Sequence, residues 1–188
     1  MTILLSSCAV APLQMPSSPG KNRLLAANLT NWHAQGKIGV QSIQDSGSAS
    51  FDWQQHANLY RIKLAGPLGL GNIDIQSNAG NVLLIAANGK TYTAATPETL
   101  LWQTTGWRLP ISNLKYWIRG LPVPHQTTRF QYNKYGLLTD LKQNAWQIQF
   151  ANYTNVDGIF LPNKIWITSA NLKIKILVYQ WELGGYAT

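Results

Sequence analysis

The stretch Trp32-His33-Ala34-Gln35-Gly36-Lys37-Ile38-Gly39-Val40 decides the fold, because Ala34, Gly36, Ile38 and Val40 alternate with His33, Gln35 and Lys37. A period of two is the spacing of a strand with one buried face, since successive side chains of a strand point to opposite sides. Turn signals at Asp45-Ser46-Gly47 lead to a second alternating run through Ala49, Phe51 and Trp53, so the two runs read as a hairpin.

The same pattern continues along the chain. Leu59 to Leu64, Gly71 to Ile75 and Val82 to Ala86 are further short apolar or alternating runs, separated by Gly66-Pro67-Leu68-Gly69-Leu70 and Asn78-Ala79-Gly80-Asn81. Successive strands joined by tight turns predict an antiparallel meander. The pattern then breaks: Thr96 is placed to cap a helix with Pro97 in its first turn, and Pro110 opens a second carrying Ile111, Leu114, Trp117 and Ile118 on one side. Gly120, Pro122 and Pro124 end it. Alternation resumes at Thr127 to Tyr132, Leu137 to Leu141 and Trp146 to Phe150. Lys164 to Thr168 and Lys173 to Tyr179 form a closing pair around Ser169-Ala170-Asn171. Ahead of the first strand, Leu24, Leu25, Ala27, Asn28 and Trp32 predict one amphipathic helix.

These runs predict a mainly β (α+β) fold of about 11 antiparallel strands with a helical insert at about 96–120. A curved sheet of this length must cover its apolar face or aggregate. The insert is the natural cover, and an unclosed β-barrel with a helical lid leaves room for an apolar cavity. The inward-facing candidates for its wall are Ile38, Val40, Phe51, Trp53, Ile62, Leu64, Ile73, Ile75, Leu83, Ile85, Trp117, Phe130, Trp146, Ile148, Trp166 and Ile176. Any one of them is more often plain core than ligand wall.

Composition narrows the class. The chain has 188 residues, 45% hydrophobic and only 12% charged, which suits one domain with a sizeable core, and its eight Trp and eight Tyr favour a greasy ligand or much hidden aromatic surface. The formal charge of +8, from 15 Lys and Arg against seven Asp and Glu, suits an anionic lipid surface, an acidic protein or nucleic acid. No basic cluster interleaves with aromatics as a nucleic-acid stacking platform requires. His33, His56 and His125 lack metal spacing, Asp52, Asp74, Asp140 and Asp157 form no recognisable pair, and no nucleophile motif is present. Neither an enzyme, a metal site nor a cofactor is expected.

The N-terminal segment reads separately. Leu5-Ser6-Ser7-Cys8, after a short apolar run, resembles a bacterial lipobox ending at the only cysteine. Small residues let the chain enter a signal peptidase cleft, and the thiol is the nucleophile that accepts a glyceryl group. A full signal runs about 15 to 30 residues with a basic start, so residues 1–8 read as a truncated signal; an incidental cysteine is the other reading. Pro12, Pro16, Ser17, Ser18, Pro19 and Gly20 make residues 9–21 a flexible tether. One domain over residues 22–188 follows, and no run of apolar residues is long enough for a spanning helix.

Five segments in order resemble one known family: Trp32-x-Ala34-x-Gly36-Lys37-Ile38, Ser48-Ala49-Ser50-Phe51-Asp52-Trp53, Gly66-Pro67-Leu68-Gly69, Leu109-Pro110 through Tyr116-Trp117-Ile118-x-Gly120-Leu121-Pro122, and Leu161-Pro162-Asn163-Lys164-Ile165. Each is weak singly, but together they resemble the LolB family of outer-membrane lipoprotein receptors along nearly the whole chain. The resemblance implies an unclosed barrel whose lidded cavity holds acyl chains, with acylated lipoproteins received from a LolA-like periplasmic carrier and passed into outer-membrane lipid. It also implies N-acyl and diacylglyceryl lipid on Cys8, a position facing the periplasm, and a membrane-inserting role for Leu68; Ala9, not being acidic, fits outer-membrane delivery. A leucine between Pro67 and Gly69 packs poorly on its own strand, and burying it yields roughly 1.5 to 3 kcal/mol; a turn residue folded onto the sheet edge is the plainer reading. Arg61, Lys63, Arg119, Lys164, Lys173 and Lys175 are candidate contacts for an acidic carrier, against a plain solvated face. A monomer is expected. The nearest alternative is a soluble periplasmic carrier of lipids or lipoproteins without an anchor.

Overall fold

The structure, a computed structural model, describes residues 20–43, 45–66, 71–78 and 80–184. Cys8, the proposed signal, nearly all of the tether and the turn carrying Leu68 lie outside them. The chain opens with α1 (Lys21–Asn28), then β1 (Asn31–Ser42), β2 (Ser46–His56), β3 (Leu59–Ala65), β4 (Ile73–Asn78), β5 (Asn81–Ile85) and β6 (Thr91–Ala94). Two helices follow, α2 (Pro97–Thr105) and α3 (Ile111–Trp117), and the chain closes with β7 (Thr128–Tyr132), β8 (Leu138–Gln143), β9 (Trp146–Val156), β10 (Ile159–Thr168) and β11 (Leu172–Leu183).

All eleven strands belong to one antiparallel sheet in the order β6-β5-β4-β3-β2-β1-β11-β10-β9-β8-β7. First and last strands pair in the middle, from Trp32 opposite Leu183 to Ser42 opposite Leu172. The sheet edges are therefore β6 and β7, the two strands that flank the helical insert. The insert leaves one edge and re-enters at the other, and so lies across the seam of the unclosed barrel. Short edge strands limit pairing with other chains, and β6 has only 4 residues and β7 only 5.

Side-chain parity fixes the faces. Ala34, Ile38 and Val40 are buried while Lys37 and Gln41 are exposed, as the alternation requires. Gly36 sits at an irregularity in the β1–β11 register. A Cβ there would collide with the Leu177 carbonyl oxygen and come 2.9 Å from the Phe51 ring, so the close approach of β11 demands glycine. Strand and insert residues, among them Trp32, Ile75, Leu84, Leu100, Leu114, Trp117, Ile165 and Ile174, form one buried cluster.

The first helix differs from its reading. Leu24 and Leu25 are exposed, and α1 docks through Asn22 and Ala26 instead. The Asn22 amide donates to the Phe160 carbonyl at 2.9 Å and accepts from the Phe160 N–H at 2.7 Å. A side chain that satisfies both backbone groups of one β10 residue outweighs the gain from turning two leucines inward.

Candidate binding cavity

Side-chain hydrogen bonds hold the insert together and tie it to the sheet. Thr96 caps α2 by accepting from the Thr99 N–H at 3.2 Å, with Pro97 in the first turn. Glu98 joins the helices, accepting from the Ser112 N–H at 2.7 Å and the Ser112 hydroxyl at 3.2 Å. At the far end, fully buried Gln143 on β8 accepts from Trp117 Nε1–H at 3.0 Å and from the Val123 N–H at 2.9 Å, and donates to the Val123 carbonyl and to Thr128 Oγ1, both at 2.9 Å. Trp117 also packs on Trp146 with ring centroids 5.9 Å apart.

Arg119 is a structural residue, and its reading as a carrier contact is corrected. It is buried, and donates to the Ala26, Leu29 and Lys115 carbonyls at 2.9, 2.8 and 3.0 Å, tying the α1–β1 connection to α3. Burial holds its pKa below the usual guanidinium value, and also lowers that of Lys115, helped by the neighbouring Arg119 charge. Arg61 is exposed but engaged, donating through Nε to both oxygens of Asp74 at 3.1 and 2.9 Å. Lys63, Lys173 and Lys175 are exposed and Lys164 half-buried.

Under the lid lies a void of only about 20 Å³ with wholly apolar walls. Ile38, Phe51, Trp53, Ile62, Leu64 and Ile176 supply the sheet side; Leu109, Ile111, Leu114 and Ile118 supply the lid side. That is room for about one water molecule. Val40, Ile73, Ile75 and Ile148 are buried in the surrounding core, and Trp117 is buried within the lid. Trp146 is half-buried at an opening of about 500 Å³ at one end of the barrel.

Four candidates lie elsewhere. On β5 the inward residues are Val82 and Leu84, so Leu83 and Ile85 face the other way. Every residue from Val82 to Ala86 is apolar, so period two could not choose a face; pairing of Leu84 with Ile75 chooses it. Trp166 stands on the outer face, where it pairs with Lys175 and lies under the Lys164 ammonium at 4.6 Å. Phe130 is half-exposed on edge strand β7 beside Tyr132. Trp166 and Phe130 line a shallow groove with Arg129, Asp140 and Lys142.

Among the described residues no cluster of His, Cys, Asp or Glu could hold a metal, and no helix is long and apolar enough to cross a membrane. His33 lies between Asp52 (3.1 Å) and Glu182 (3.4 Å). The spacing of these three in sequence gave no hint of that contact, which depends on strand register.

The sequence model of a family described as "LolB: Outer membrane lipoprotein LolB" matches residues 30–181. A protein named outer-membrane lipoprotein LolB from Pseudomonas fluorescens is 36% identical over 185 residues, covering 95% of this chain and 90% of its own. One of the same name from Pseudomonas putida is 37% identical over 156 residues, covering 83% and 76%. Among solved structures, a LolA superfamily protein from Nitrosomonas europaea superposes with a TM-score of 0.57 at 8% identity, covering 91% of this chain and 96% of that one. A DUF1329 family protein from Desulfovibrio piger gives 0.59 at 9% identity, covering 88% and 90%. At such identities the two structures speak for the fold alone.

Proposed function

The chain belongs to the LolB family of outer-membrane lipoproteins, and from that premise we propose that it is a receptor, not an enzyme, which takes acylated lipoproteins from a LolA-like carrier and delivers them to the outer membrane. The observation that carries this reading is the all-apolar interface between sheet and lid, ten side chains around a void of about 20 Å³. No polar group in that wall could bind a polar substrate, and nothing there could perform covalent chemistry.

Binding an acyl chain requires the lid to move, because the closed void admits none. The chain then replaces lid side chains such as Leu114 against Ile38, Phe51 and Ile62, and each buried methylene contributes about 0.8 kcal/mol. Exchange of one apolar lining for another leaves the net driving force small, which suits a site that must also release. Transfer runs toward the deepest apolar sink, the bilayer, without a nucleotide.

Lipid on Cys8 would anchor the chain at the outer membrane facing the periplasm, with residues 9–21 as tether, and Leu68 would enter lipid from the β3–β4 turn. Two or more acyl chains give stable anchoring where one does not. Lys63, Lys164, Lys173 and Lys175 would steer an acidic carrier.

Intact-mass analysis of the full-length product from Gram-negative membranes tests the anchor: a diacylglyceryl and N-acyl Cys8 at the mature N-terminus is expected. An unmodified soluble product would overturn it in favour of a free periplasmic carrier. Titration with a fluorescent fatty acid tests the cavity: saturable binding lost on Leu64→Asp in a folded variant is expected, and no binding by the parent would overturn the receptor reading.

A further inference from the structure

Antiparallel alternation brings the β5–β6, β8–β9 and β10–β11 turns, the β1 and β2 ends at Ser42 and Ser46, and the adjoining ends of β3 and β4 to one end of the barrel. There Ile43, in the β1–β2 turn, is 83% exposed, and Trp102, on the outward side of α2, is 47% exposed. They flank the opening of about 500 Å³, whose walls include Trp107, Arg108, Trp146 and Leu172. The Arg108 guanidinium lies 3.9 Å over the Trp102 ring. Two residues beyond Trp107, Leu109 lines the central void, so the segment Trp107–Leu109 is the partition between rim and void.

The charge at this end is mainly positive. Among the described residues, Lys90, Arg108, Lys142 and Lys173 are exposed on or beside these turns, against Asp45, which accepts from the Ser46 N–H in its own turn at 2.7 Å, and Asp74 at the start of β4, which Arg61 engages. A projecting aliphatic residue, a Trp with its polar edge and a surrounding excess of cations are the combination that binds the headgroup layer of an anionic bilayer.

We propose that this rim is a membrane-docking surface, in which Ile43 and Trp102 enter the headgroup boundary and Arg108 pairs with lipid phosphate, setting the opening and its partition against the bilayer. The proposal rests on the receptor reading for the presence of a membrane, and it assigns the site of release. Arg108 has two states available, stacked on Trp102 in solution and paired with phosphate on the membrane.

The test uses the full chain carrying Cys8→Ser, so that no lipid anchor contributes, floated with vesicles of phosphatidylethanolamine and phosphatidylglycerol. The parent is expected to float, and Ile43→Asp with Trp102→Gln is expected to lower vesicle partitioning by about tenfold or more. Arg108→Gln is expected to lower it by about fivefold on anionic vesicles and little on phosphatidylcholine. These exposed positions leave the fold intact, checked by unchanged circular dichroism. A parent that does not float, or a double variant that floats as the parent does, overturns the rim. The same overturning holds if the double variant floats normally but loses transfer from the carrier, since the surface then binds protein. Fatty-acid titration separates the two readings: a chain that floats through its rim but binds no fatty acid fails as a receptor and keeps its docking surface.

Discussion

Replacing Leu114 by alanine should weaken the fold and strengthen acyl-chain binding at once. Leu114 is 2% exposed and lines the void from the lid side. Truncating a buried leucine costs about 2 to 5 kcal/mol, through lost transfer free energy and the cavity left behind. If loading drives this side chain out of the core, the wild-type loaded state forfeits its burial and the variant does not. Three carbons at about 0.8 kcal/mol each give at most about 2.4 kcal/mol, or up to about fiftyfold in affinity; half exposure gives about sevenfold. Urea unfolding followed by far-UV circular dichroism reads the stability, and titration with a fluorescent fatty acid under native conditions reads the affinity. Loss of stability with unchanged or weaker binding would refute the reasoning, because Leu114 would then stay buried during loading.

Gly36→Ala should destabilise by more than about 3 kcal/mol, since its methyl collides with the Leu177 carbonyl and a backbone atom cannot rotate away; urea unfolding checks it. Gln143→Met should cost about 2 to 5 kcal/mol by orphaning Trp117 Nε1–H and the Val123 N–H, with earliest loss of amide protection in hydrogen exchange at 117–128. Burial, then the nearby Glu98 charge, pushes the Tyr60 hydroxyl up to about 12, and burial also raises Tyr153. Their contribution is whole below the ordinary tyrosine pKa of about 10 and is lost as pH rises from there through the folded values. Unfolding titrations should therefore show stability falling above about pH 10, less steeply in Tyr60→Phe; the lowered Lys115 works in the opposite sense.

What the sequence makes legible follows from how locally each feature is determined. Ala34, Ile38 and Val40 alternate with polar residues, so the face of β1 can be read without its neighbours. Thr96-Pro97 and Pro110 mark the insert by backbone chemistry that needs no tertiary contact. By contrast, the face of β5 depends on its register with β4, and the orientation of α1 depends on Phe160, 138 residues from Asn22. Trp166 is apolar in sequence but lies on the outer wall under Lys164, where an aromatic face accepts a cation. The rim of Ile43, Trp102 and Arg108 is illegible for another reason, since only sheet order brings a turn, a helix end and a loop together.

Transfer of cargo tests the central claim most directly: a LolA-type carrier loaded with a radiolabelled acylated lipoprotein, mixed with the full-length chain, then with phospholipid vesicles. Label should pass from carrier to the chain and onward into the vesicles without added nucleotide, and Leu64→Asp should stop it at the first step. Label that stays on the carrier, or reaches the vesicles equally well without the chain, would contradict the account.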